Sequence, residues 1–424
     1  MQFHRNMAHL LCAAVLLLIP VQAGAESGRP ITLAQALKRV VTANPRLAVA
    51  EREIGVVAGH RIQAAAIPNP EFAPIVENVL GSGQYKGSQS AQTTLTLSQL
   101  IEFPGKRDAR IAATSAEFDS SQWQLQSERL EVLSETAVAF VNILGAQRRI
   151  QILDGIIASL DGLTPLLQRR VDLGASSQAD ISRAQVAADL IRVDRERAKT
   201  ALDTARRELA VLMGLTSPDF GQAVGAFGSV TTPPALAILM RGFEDHPQLV
   251  RWTAIRAQRK AELISARLKP LPDVRLGVGY RLFRETKDNA WVFGLSMDIP
   301  LWDQNQGAIL SAQETLAKAD AERAVNKSAL TILLGRTYDA LQGSRREIEL
   351  LQAAVIPKAR ESVRTVESGY AQGRFTLIEL LDTQSALAQA LLREQEALVT
   401  YHTAVATIEW LSGTPINPSR QRSR

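Results

Sequence analysis

Two stretches, Lys106 to about Leu173 and Gln304 to Tyr370, keep a helical pattern with scattered glycines and one proline apiece, Pro165 and Pro357. At 1.5 Å per residue a helix of about 67 residues is roughly 100 Å long, about three times the diameter of a small domain. Such a helix cannot fold back inside one globule, so it needs partners of similar length in a coiled-coil-like assembly. The other helical stretches supply them: one of about 20 residues and one of about 35, stacked end to end, nearly match one long helix. The two prolines are expected to bend the long helices locally.

The chain also repeats itself. Asn44-Pro45-Arg46-Leu47 matches His246-Pro247-Gln248-Leu249, and Pro68-Asn69-Pro70-Glu71 matches Pro270-Leu271-Pro272-Asp273. Further on, Leu173-Gly174 falls on Gln372-Gly373, Asp180 on Glu379, Gln185 on Gln384, and Leu212-Met213-Gly214 on Leu411-Ser412-Gly413. Matches in one order at nearly constant offset indicate an internal duplication. The expected organisation is an export signal over 1–25, a first repeat over 26–229, a second over 230–413 and a basic tail over 414–424. Each repeat reads helix, two strands, very long helix, turn, helix. The strands are expected near 71–80, 93–101, 273–283 and 290–299.

These strands alternate. Val274, Leu276, Val278 and Tyr280 oppose Arg275, Gly277, Gly279 and Arg281; Trp291, Phe293, Leu295 and Met297 oppose Gly294 and Ser296; Leu95 and Leu97 oppose Thr94, Thr96 and Ser98. About ten residues is the length of a tilted membrane strand. Large apolar side chains on one face and charges with glycines on the other suit lipid outside and water inside; a soluble sandwich with one buried face would alternate likewise. Leu10 to Ile19 is an apolar run too short to span a bilayer. With Arg5 before it and Ala23-Gly24-Ala25 after it, it reads as a secretory signal. No other apolar run approaches the length of a membrane helix. The export signal and the polar loops 81–92 and 284–289 favour the membrane reading. Four strands cannot close a barrel, and an open sheet edge in lipid leaves backbone groups unpaired at several kcal/mol each. The strands must therefore be pooled with those of other copies: two chains would give eight strands and a filled interior, three would give twelve and a water-filled lumen. The fold class expected from these patterns is mainly α with a membrane β-barrel portion, a barrel shared between copies and continued by a long α-helical tunnel.

Composition removes other functions. The formal charge of +5 includes Arg5, so loss of the signal leaves +4, with acidic and basic residues interleaved; nothing marks a nucleic-acid surface. The single cysteine, Cys12, lies in the signal and not after it, which excludes disulfides, cysteine metal sites and lipid anchoring of the mature chain. His60, His246 and His402 lack metal-ligand spacing, and no nucleophile, zincin or phosphate-loop motif is present. No enzyme activity, cofactor or resident metal is expected.

Certain residues resemble a known family. Leu33-Ala34-Gln35-Ala36-Leu37 followed by Asn44-Pro45, and Asp298-Ile299-Pro300-Leu301-Trp302-Asp303, are similar to the TolC-like outer-membrane factors. Pro68-Asn69-Pro70-Glu71, Glu77-Asn78, Gly81-Ser82-Gly83 and the run Leu97 to Arg107 (LSQLIEFPGKR) resemble its heavy-metal branch, the CzcC type. The resemblance implies a homotrimer in the outer membrane of a Gram-negative bacterium, with a trimeric twelve-stranded barrel continued by an α-helical tunnel, a periplasmic adaptor, and an inner-membrane pump of the resistance-nodulation-division class. It also implies a gate where the helix pairs turn in the periplasm. The gate candidates are Asp180, Arg183, Arg374, Glu379 and Asp382; Glu379 and Asp382 share a helix face, so three copies would place six carboxylates in a ring that favours cations. Arg183 or Arg374 pairing with these acids across neighbouring helices would be the closed-state lock. Adaptor-docking candidates are Leu173, Gly174, Ala175, Ser176, Ser177, Gly373, Phe375, Thr376 and Leu377. Alternatives are a duct for organic drugs or protein secretion, and a soluble periplasmic coiled-coil adaptor.

Overall fold

The computed structural model describes residues 28–413 and 416. The export signal lies outside the described residues, as does the basic tail apart from Ile416. The chain runs β1 (Ile31–Thr32), α1 (Leu33–Ala43), α2 (Pro45–Ala65), β2 (Glu71–Glu77), β3 (Gln92–Ile101), α3 (Lys106–Asp172) and α4 (Gln178–Leu212). It continues with β4 (Ala223–Val224), α5 (Leu236–Arg241), α6 (Pro247–Leu268), β5 (Val274–Phe283), β6 (Asn289–Met297), α7 (Gln306–Leu350), α8 (Ile356–Ala371) and α9 (Leu377–Ser412).

α3 is one 67-residue helix with Pro165 inside it. The second long helix departs from the expected continuity. After α7 the backbone makes a five-residue π-turn, Leu351–Val355, and α8 then starts with Pro357 in its first turn. Proline has no N–H to donate into the preceding turn and its ring crowds that turn's carbonyl, so the ladder is broken where the π-turn absorbs it. β1 and β4, unforeseen in the sequence, form a two-residue parallel bridge, Ile31 with Ala223 and Thr32 with Val224.

The four long strands form one antiparallel sheet in the order β2-β3-β5-β6. Its register joins Phe72, Leu97, Val278 and Phe293 in one cross-strand row and Pro74, Leu95, Tyr280 and Trp291 in the next. All the apolar residues expected to face lipid therefore lie on one face, with Val274 and Tyr280 half-buried. Tyr280 and Trp291 meet edge to face, 5.4 Å between centroids. β2 read poorly in the sequence because Pro74 breaks its alternation; within the single chain β2 lies at the sheet edge, where proline is tolerated.

The helices keep the same lateral order as the strands. Near the sheet, α2 packs on α3, α3 on α6 and α6 on α7; towards the far end, α4 packs on α3, α3 on α9, and α9 on α7 and α8. The core is distributed along this layer. One cluster, around Val40, Val132, Phe140, Ile143 and Leu209, joins α1, α3 and α4. A second, around Leu249, Leu334, Leu341, Tyr401 and Ile408, joins α6, α7 and α9. One stretch of α3 is long and apolar enough to pass for a membrane span, contrary to the expectation from the sequence. Val132, Ala139, Phe140 and Ile143 of this helix are core residues of the first cluster.

Candidate functional site

Two features could conduct and control a flow: the polar face of the sheet and the paired helix tips. On the polar face, Arg275 Nη1 reaches Glu71 Oε2 at 2.6 Å across β3, and Arg281 reaches Glu77 at 3.4 Å and Thr94 Oγ1 at 2.9 Å. Gly279 on that face faces Thr96, whose Oγ1 would lie 3.0 Å from an added Cβ. The face opposite the apolar rows thus carries paired charges and small residues, with Ile75, Leu100 and Val292 among them.

Beneath the sheet, the run Glu102 to Arg107 acts as the joint between strands and helices. Lys106 Nζ donates to Asp273 Oδ1 at 2.9 Å and to the Leu271 carbonyl at 2.6 Å, and the Phe103 amide donates to the same carboxylate at 2.7 Å. Arg110 holds Glu102 through two hydrogen bonds of 2.6 and 3.0 Å, and its Nε donates to the Ala64 carbonyl. Arg107 donates to the Ala65 carbonyl at 2.6 Å. These donors satisfy carbonyls left open at the end of α2 and anchor the start of α3 to the base of β5.

At the far end the two turns have the same construction. Leu173 closes α3 and Gly174 follows at φ 69°; Gln372 closes α8 and Gly373 follows at φ 76°, a region in which a side chain would clash. Each following helix opens with a capping box. Asp180 Oδ2 accepts from Ser176 Oγ at 2.7 Å and from the Ser177 amide at 3.2 Å. Glu379 Oε2 accepts from the Thr376 amide at 2.7 Å and from its hydroxyl at 2.8 Å.

Of the gate candidates, Asp180 and Glu379 are therefore occupied as helix caps. Arg183 lies 3.7 Å from Asp180 on its own helix, not across a helix pair. Arg374 and Asp382 are exposed, with no ion pair among those of the described residues. Of the docking candidates, Leu173 is 82% exposed and Gly174, Ala175, Ser177, Gly373 and Thr376 are exposed, while Ser176 is half-buried on Asp180. Leu377 departs from its expected role. It is buried in a cluster with Leu163, Leu167, Ile181, Val366, Tyr370 and Leu380, because position N1 of α9 faces the neighbouring hairpin. Phe375 is half-buried, its ring lying where a side chain on Gly369 would sit.

That cluster packs α3, α4, α8 and α9 into one body, and one polar link missed in the sequence crosses it. The Arg170 guanidinium stacks 4.8 Å above the Tyr370 ring, and its Nη1 donates to the Tyr370 carbonyl at 2.7 Å. Its Nη2 lies 3.4 Å from the Ala175 carbonyl. One side chain thus holds its own turn and the carbonyl end of α8, where the helix dipole also favours a cation.

The caps respond to pH. Hydrogen bonds from Ser176 and Ser177 hold the Asp180 carboxyl below its ordinary pKa, and those from Thr376 do the same for Glu379. A lowered native pKa means that the stabilisation is present above the ordinary carboxylate range. It is lost as pH falls through the lowered values. We expect hydrogen exchange of the Ser177 and Thr376 amides, corrected for intrinsic rate, to accelerate several-fold between pH 6 and pH 3. Exchange in the middle of α3 should change less.

A lipid-compatible sheet face backed by a polar one, continued into a layer of very long helices, defines an outer-membrane channel protein. The architecture is that of solved channels: it superimposes on the outer-membrane channel OprN with a TM-score of 0.76 at 17% identity, covering 91% of each chain. It superimposes on CusC with a TM-score of 0.77 at 16% identity, covering 90% of this chain and 92% of that one. The sequence matches the outer membrane efflux protein family over residues 35–215 and 243–414, and the chain belongs to that family. It is 29% identical over 388 residues to the cobalt-zinc-cadmium resistance protein CzcC of Cupriavidus metallidurans, covering 92% of this chain and 91% of that one. It is 23% identical to the nickel-cobalt-cadmium resistance protein NccC of Alcaligenes xylosoxydans, covering 73% and 70%.

Proposed function

We propose that three copies of this chain form the passive outer-membrane exit duct of a tripartite resistance-nodulation-division efflux system that exports heavy-metal cations. The carrying observation is the open four-stranded sheet: among the described residues its edges β2 and β6 are unpaired, and lipid does not tolerate unpaired strand edges. Because the helices keep the strand order, the same head-to-tail contact that joins β6 to the next copy's β2 joins α7 to its α2 and α8 to its α4. Exposed apolar residues support that contact: Val49 and Val56 on α2, Val186, Leu190 and Val193 on α4, and Val325 and Ile332 on α7. A heterologous contact of this kind closes into a ring, and twelve strands leave an aqueous lumen.

The helix tips serve as the gate and as the seat of a periplasmic adaptor carrying the flow from the inner-membrane pump. Exposed Asp382 supplies the carboxylate ring, Asp180 and Glu379 shape the tips through their caps, and exposed Leu173 is the first contact for the adaptor. The metal class rests on the similarity to CzcC and NccC. Deleting the gene should lower growth on cobalt, zinc or cadmium and leave growth on dyes and detergents unchanged. The reverse pattern would assign the duct to organic substrates. In planar bilayers, Asp382→Ala should reduce cation over anion selectivity, and an added Glu379→Ala should reduce it further, because a capping carboxylate whose pKa is lowered keeps its charge. Unchanged selectivity in both variants removes the carboxylate ring from the account.

A further inference from the structure

Near the sheet, α2, α3, α6 and α7 together line a cavity of about 820 Å³. These helices pack in series, so a cavity that touches both the first and the last of them lies on the concave side of a curved layer. Four basic and four acidic residues line it, and most are already paired. Arg46 is bound to Glu128, Arg259 to Glu262 of its own helix at 2.8 Å, and Lys318 lies 3.7 Å from Glu322. Glu117 faces His60 at 3.7 Å. Glu53 stands exposed on the α2 rim.

Arg251 differs from the other basic residues. It is half-buried between α6 and α3, its Nε donates to Ser120 Oγ at 3.3 Å, and it has no ion pair among those of the described residues. Burial pushes its pKa down, so the protein withdraws water from this cation without supplying a carboxylate in return. A guanidinium has five N–H donors in a planar fork suited to two oxygens of one anion.

We infer that the Arg251 cavity is an anion-binding station on the inner wall of the duct, taking a small carboxylate- or phosphate-bearing anion through the Arg251 fork with Ser120 beside it. Its position in the lumen rests on the duct reading above. A cavity of this volume admits a partly hydrated oxyanion. In a cation-exporting duct, such a station would carry counter-anions or metal–oxyanion complexes past a wall that otherwise balances its charges.

The test uses the full-length purified protein in planar bilayers, in potassium chloride, with millimolar citrate or inorganic phosphate added to one side. Opening of channels by the wild type tests the duct reading separately. The station predicts that at least one of the two anions lowers wild-type conductance several-fold. Arg251→Gln should abolish that block while keeping its conductance in chloride alone, and Arg251→Lys should retain part of it. A phosphate response would mean recognition of a tetrahedral oxyanion, and a citrate-only response a polycarboxylate; either supports the station. Equal block in wild type and Arg251→Gln, or none in wild type, overturns it. Should Arg251→Gln open no channels, Ser120→Ala takes its place and must weaken the block.

Discussion

Replacing Arg170 with alanine should unlatch the two helix tips within each chain and raise channel conductance in planar bilayers severalfold. Arg170 belongs to α3, Tyr370 to α8, and their contact combines a stacked cation with a hydrogen bond to a helix-terminal carbonyl. A cation over an aromatic face contributes roughly 1–2 kcal/mol, and a hydrogen bond to a charged donor about 1.5–3 kcal/mol. Loss of about 3 kcal/mol would shift a two-state tip equilibrium by roughly a hundredfold. The buried Tyr370 hydroxyl has no hydrogen-bond partner among the described residues, so Tyr370→Phe should leave conductance near wild type while Tyr370→Ala should raise it. Arg169→Ala, on the exposed neighbour, is the control for charge alone. If Arg170→Ala conducts like wild type, the latch is not what holds the tips.

The second large effect concerns the sheet. Phe293→Arg should abolish recovery of assembled protein from the outer membrane, whereas Ser296→Arg should be recovered normally. Phe293 is 79% exposed and ends the row formed with Phe72, Leu97 and Val278 on the apolar face. An arginine facing lipid near the bilayer midplane costs about 2–4 kcal/mol, and three copies multiply that cost. Ser296 pairs with Arg275 on the opposite face, where charges already lie. Equal recovery of both variants would mean that the apolar face does not meet lipid.

Much of this architecture could be read from residues alone, where local rules apply. Alternation placed the faces of β3, β5 and β6 because side chains in a strand point alternately up and down. The glycines after each long helix, Gly174 and Gly373, marked the turns, because a glycine readily takes the left-handed conformation that ends a helix. The helices after those turns begin at Gln178 and Leu377. Where local signals conflicted, the reading weakened. Pro74 hid the alternation of β2, and Pro357 marked a local bend without showing that a π-turn precedes it.

The candidate site was less legible. Asp180, Glu379 and Asp382 share a sequence pattern that resembles a charged constriction, yet in the structure the first two accept hydrogen bonds at their own helix starts. Leu377 looked available at a helix tip and is buried. Arg170 and Tyr370 stand 200 positions apart, and neither belongs to a motif with a spacing to recognise.

By itself the sequence determined periodicity: how long the helices run, which side of each strand is oily, and that one chain holds too few strands to enclose a pore. These follow from backbone geometry and binary patterning, which act between residues a few positions apart. Only the tertiary structure decided which residues meet across the layer: Lys106 with Asp273, Arg170 with Tyr370, Arg251 with Ser120 and, among the described residues, without an ion pair. Such pairings depend on helix rotation and lateral order, set by packing across distances that no local spacing encodes.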